Sequence, residues 1–90
     1  MAQLEKQQLI NRIAAMVELI DDMGGISSVR HLQTIEILNA IGALEMTFLI
    51  NQVYLQMGLT KTIKVQCTCN PNHYLQVIGF IRDWYNNNKQ

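Results

Sequence analysis

The stretch "TKTIKVQCTCNP", residues 60–71, decides how the rest of the chain is read. Ile63, Val65, Cys67 and Cys69 alternate with Thr62, Lys64, Gln66 and Thr68. Such period-two alternation with β-branched residues is the pattern of a half-buried strand. The spacing therefore predicts a strand over about 61–69, with Ile63, Val65, Cys67 and Cys69 on its covered face. A strand's backbone groups must pair or stay wet, and almost everything else here has helical period. The simplest partner is the same strand of a second copy. Two copies would form an antiparallel ribbon about a two-fold axis, the commonest oligomer symmetry, with those four residues at the dimer interface. A rival reading makes "NPN", residues 70–72, a type I turn with Pro71 at its second position. Residues 73–80 would then be the other strand of a hairpin.

The flanking sequence predicts a mainly α fold: three N-terminal helices, this one strand and a C-terminal helix. Over 3–23, Leu9, Ile10, Ile13, Met16, Val17, Ile20 and Met23 recur at helical spacing. Gly24 and Gly25 supply the left-handed stop, and Ser27 or Ser28 suits the next N-cap. A second helix runs from about Val29 to Ile41 and is broken at Gly42. The third, 43–57, is apolar on more than one side, which marks a helix buried between others. Gly58 suits its C′ position, with Leu59 folding back on the last turn. Asn70 as N-cap and Pro71 at the first helical position favour a last helix over 71–86.

Ninety residues make one domain, 1–90. A chain this short buries only roughly 60–65% of its unfolded surface, which makes self-association a natural source of stability. Hydrophobic residues are 49% of the chain and charged residues 16%, below the roughly 25% of ordinary domains. Sparse charge on an apolar-rich surface favours a partner that covers it. The polar start "MAQLEKQQ" has no signal-peptide pattern, and Glu36, Asn39, Glu45, Asn51 and Gln52 interrupt the most apolar region. Two cysteines without an export signal suggest a reducing, cytoplasmic setting with both thiols free. In an extended chain their side chains stand too far apart for a disulfide.

Little here points to chemistry. Cys67, Cys69 and His73, with His31 as a fourth ligand, would make a zinc set, but the spacing matches no metal motif, and two buried thiols explain the pattern without metal. "DDMGGISS", residues 21–28, is similar to the Gly-Gly-x-Ser stretch of acyl and peptidyl carrier proteins at Gly24, Gly25 and Ser27. That resemblance implies a phosphopantetheine arm on Ser27 at the opening of a helix. A glycine C-cap followed by a serine N-cap accounts for the same residues. No P-loop, dinucleotide fingerprint or HExxH motif is present, and the adjacent carboxylates Asp21 and Asp22 diverge on a helix. A winged-helix DNA reader would need 73–80 as a strand and 43–57 as its recognition helix. That helix has no Lys or Arg, and net charge is zero.

These observations favour a small non-enzymatic protein-binding module, a regulator, inhibitor or adaptor acting as a homodimer without cofactor or metal. Trp84 and Tyr85, aromatics with a polar tip, are its candidate partner-binding residues. A winged-helix regulator and a carrier modified at Ser27 are the alternatives.

Overall fold

A computed structural model describes residues 3–89. Within them the chain forms helices α1 (Lys6–Asp22), α2 (His31–Ile41), α3 (Ala43–Gln56) and α4 (Pro71–Asn88), with one 3-10 turn at Ile26–Ser28. Each α-helix packs against the other three. Leu9, Ile13, Met16 and Ile20 of α1 meet Ile37 of α2, Met46, Leu49, Ile50 and Val53 of α3, and Tyr74, Ile78 and Ile81 of α4 in a core closed to solvent. Each such side chain contributes roughly 1.5–3 kcal/mol when removed from water, which holds the helices together more firmly than their intrinsic propensities do.

Glycines set the corners. After α1, Gly24 takes φ +99° and the N–H of Gly25 donates to Ile20 O at 2.9 Å. After α3, Gly58 takes φ +77° and the N–H of Leu59 donates to Tyr54 O at 2.9 Å. Both are Schellman closures that satisfy carbonyls at the helix end. Gly42, at φ +96°, separates α2 from α3 and bends their axes by 92°. No single described helix is long and apolar enough to cross a membrane. The serines do not open α2. They lie in the 3-10 turn, and α2 starts at His31, where the N–H of Arg30 donates to Gln33 Oε1 at 3.1 Å. Pro71 opens α4 as expected, although the Asn70 side chain makes no capping hydrogen bond.

The predicted strand is the main correction. Among the described residues there is no β-strand. Residues 59–67 form an irregular strap, and side chains supply what a neighbouring strand would have supplied. The Asn51 carboxamide of α3 accepts from the Ile63 N–H at 2.9 Å and donates to the Ile63 carbonyl at 3.0 Å. The Tyr74 hydroxyl of α4 accepts from the Gln66 N–H at 3.1 Å and donates to the Gln66 carbonyl at 2.6 Å. A buried amide and a phenol thus act as pieces of a β-ladder. The hairpin alternative fails as well, because 73–80 lies inside α4.

The expected covered face is corrected too. Ile63 packs partly against the core, but Val65 is 47% exposed, and Cys67 and Cys69 are exposed. The cysteines are neither buried nor free: Cys67 and Cys69 are joined in a disulfide. Two residues of extended chain would separate their Cα atoms by about 6.6 Å. Instead the N–H of Asn70 donates to Cys67 O at 3.1 Å, closing a turn that brings them to 5.2 Å. The turn geometry defeats the extended-chain argument.

Candidate protein-docking groove

The strap does more than connect α3 to α4. With both helices it walls a groove, and the sequence explains its lining. On α4, His73, Gln76, Val77, Phe80, Asp83, Trp84 and Asn87 follow at three- and four-residue steps along one side of the helix. The opposite wall is Ile50 and Tyr54 of α3 and its C-cap Met57, with Lys61 and Ile63 of the strap. Two clefts, of about 270 Å³ and 220 Å³, adjoin at Phe80, which lines both. Phe80 is 39% exposed and Met57 49% exposed, and both line the second cleft beside Trp84.

Aromatic contacts fix the walls. Phe80 and Tyr54 meet edge to face, with ring centroids 5.5 Å apart and planes at 67°, a geometry that their quadrupoles favour. The Lys61 ammonium stands 5.3 Å from the Tyr54 centroid, a cation–π contact at the rim of the first cleft. His73 packs edge-on to Tyr74 at 4.9 Å, and its Nε2 is buried without a hydrogen-bond partner. Lys61 lines the first cleft, along the N-terminal half of α4, and Asp83 lines the second, along its C-terminal half, with the Arg82 guanidinium 3.8 Å from its carboxylate.

Of the residues singled out from sequence, Ile63 lines the first cleft and Trp84, 8% exposed, offers an edge to the second. Tyr85 is half-buried outside both clefts, with the Lys89 ammonium 5.9 Å from its ring. Val65, Cys67 and Cys69 line neither cleft. Among the described residues no three His, Cys, Asp or Glu side chains converge to hold a metal ion. Ser27 is exposed in the 3-10 turn rather than at the opening of a helix.

Phe80, Met57 and Tyr54 escaped the sequence reading as site residues. A signal for Phe80 was present: it falls off the apolar stripe formed by Tyr74, Ile78, Ile81 and Tyr85. Buried Asn51 and Gln52 carried another, since carboxamides inside an apolar helix need hydrogen-bond partners. Asn51 finds the strap. Gln52 Oε1 accepts from the Leu4 N–H at 2.9 Å, and Gln56 donates to Leu4 O at 2.8 Å. No family model, no curated protein and no solved structure matches this chain.

Proposed function

We propose that this chain is a small non-enzymatic protein-binding module whose groove receives an amphipathic helix of another protein. The observation that carries the reading is the pair of clefts joined at Phe80, with Phe80 and Met57 open to solvent beside Tyr54, Val77 and Trp84. From His73 to Asn87 the groove follows α4 for about 21 Å, the length of roughly fourteen helical residues. Helix-in-groove recognition uses apolar anchors at i, i+3, i+4 and i+7, and Phe80 divides the groove into two places for them.

Charge selects the direction. A bound helix carries partial negative charge at its C-terminus and partial positive charge at its N-terminus. Lys61 in the first cleft favours the C-terminal end, and the exposed Asp83 in the second favours the N-terminal end. The occupant lies antiparallel to α4, with acidic residues in its last turns.

The test is selection of binders from a displayed helical-peptide library, with Phe80→Asp as the counter-selected variant. Expected winners have apolar residues at helical spacing and carboxylates near the C-terminal end. Winners without that pattern, or winners that bind Phe80→Asp equally well, would refute the reading.

Self-association is a second reading, favoured by the strap. In an extended chain successive residues offer their backbone groups to opposite edges. Asn51 uses the edge of Ile63, so Thr62 and the Lys64 N–H present the other to a second copy, the Lys64 carbonyl accepting from Gln66 Nε2 at 3.4 Å. Light scattering across a concentration series decides it: a mass that stays that of one chain at high concentration removes this reading.

A further inference from the structure

We propose that the Cys67–Cys69 disulfide is a thiol–disulfide exchange site whose substrates are thiols, with Cys69 as the sulfur attacked and Cys67 as the leaving and resolving sulfur. Both cysteines are exposed. The turn that holds them is fixed at each end. The Tyr74 hydroxyl grips both backbone groups of Gln66, and Pro71, buried, begins α4. A bond that spans a single intervening residue removes little entropy from the unfolded chain. It is a weak staple, and its exposure leaves it open to exchange.

The two sulfurs are not equivalent. The N–H of Cys69 donates to Cys67 Sγ at 3.2 Å. If the bond opens, Cys67 keeps that donor on its thiolate. The sequence around both sulfurs carries no Asp or Glu between Glu45 and Asp83, and Lys61 and Lys64 precede them on the strap. Thiolates are favoured by nearby positive charge and by backbone donors.

The reaction balances with thiol as the only co-reactant. A thiolate attacks Cys69 Sγ and forms a mixed disulfide. The Cys67–Cys69 bond breaks, and its electron pair stays on Cys67. A second thiolate attacks the substrate sulfur of the mixed disulfide and releases the substrate disulfide and Cys69 as a thiolate. Two thiols are oxidised, and the protein takes up two electrons and two protons. In the reverse direction Cys67 resolves an adduct on Cys69.

The experiment reads intact mass after alkylation quench, on the full chain and on the Cys67→Ser and Cys69→Ser variants. Helicity by circular dichroism checks that each is folded. Reduced glutathione is the small-molecule arm, and a reduced unfolded polypeptide with two cysteines is the protein arm. Oxidised wild type should gain two alkyl groups after either thiol. Reduced wild type with glutathione disulfide should close without a lasting adduct, while Cys67→Ser keeps one glutathione on Cys69. Cys69→Ser, with its Cys67 thiol still next to the residue 69 N–H, should react with iodoacetamide near pH 7 on the order of tenfold faster than Cys67→Ser. Reaction in only one arm identifies the thiol source and supports exchange. A wild-type disulfide inert to both thiols, a lasting wild-type adduct, or equal alkylation rates would overturn the proposal.

Discussion

Asn51→Ala tests whether one side chain holds the strap. Asn51 is 5% exposed, and its carboxamide makes both hydrogen bonds to the Ile63 backbone. A typical intramolecular hydrogen bond contributes about 0.5–1.5 kcal/mol net, so losing two removes about 1–3 kcal/mol. Ile63 is only half-buried, and water can replace part of what Asn51 gave, which argues against a larger loss. For a domain of this size each kcal/mol lowers Tm by about 4–8 °C. The measurement is urea denaturation together with native-state hydrogen exchange. The Ile63 amide should lose protection, while amides in the middle of α1 and α3 change only by the global shift. Tyr74→Phe should release Gln66 in the same way. Asn51→Asp separates anchoring from packing. It keeps the acceptor for the Ile63 N–H but sets a buried carboxylate against the Ile63 carbonyl. The folded variant would hold a proton more tightly than its unfolded chain, because burial raises a carboxyl's pKa. It should therefore be less stable than Asn51→Ala at pH 7 and recover as pH falls towards the unfolded Asp value of about 3.9. An Ile63 amide as protected in Asn51→Ala as in wild type would refute the account of how the strap is held.

Ile78→Ala removes a side chain closed to solvent and should destabilise the fold by about 2–5 kcal/mol, read by the same denaturation. Gly42→Ala should destabilise by about 1–3 kcal/mol through backbone strain alone, since φ is +96° and no atom lies within 4 Å of the added Cβ. A loss below about 0.5 kcal/mol would show that the corner relaxes. Replacing both Cys67 and Cys69 by serine should lower stability by no more than about 2 kcal/mol, because the closed loop is so short. A larger drop in the denaturation midpoint would mean that the disulfide supports the fold after all.

The four helices were legible because each carries its own evidence. Leu9, Ile13, Met16 and Ile20 mark the buried side of α1, and Gly24, Gly42, Gly58 and Pro71 mark where elements stop or start. The strap was misread because alternation reports an extended backbone, not the identity of its partner. Asn51 lies twelve residues before Ile63 and Tyr74 eight residues after Gln66. Nothing in the spacing says that an amide and a phenol stand in for a strand. The cysteines were misplaced for the same reason: the alternation was carried two residues too far, into a turn. The groove was the least legible part, since it requires knowing that α3 and α4 pack with Tyr54 facing Phe80.

Asn51 and Tyr74 grip only main-chain atoms of the strap, and this bears on its use as a presentation site. The side chains of Thr62, Lys64 and Val65 are exposed, so none is chosen by its anchor. Foreign residues placed there would inherit a fixed backbone shape without disturbing the helices, as in a grafted epitope or a randomised library. Proline is barred at 63 and 66, where an N–H must be donated, and Thr62, Lys64 and Val65 accept a wide alphabet.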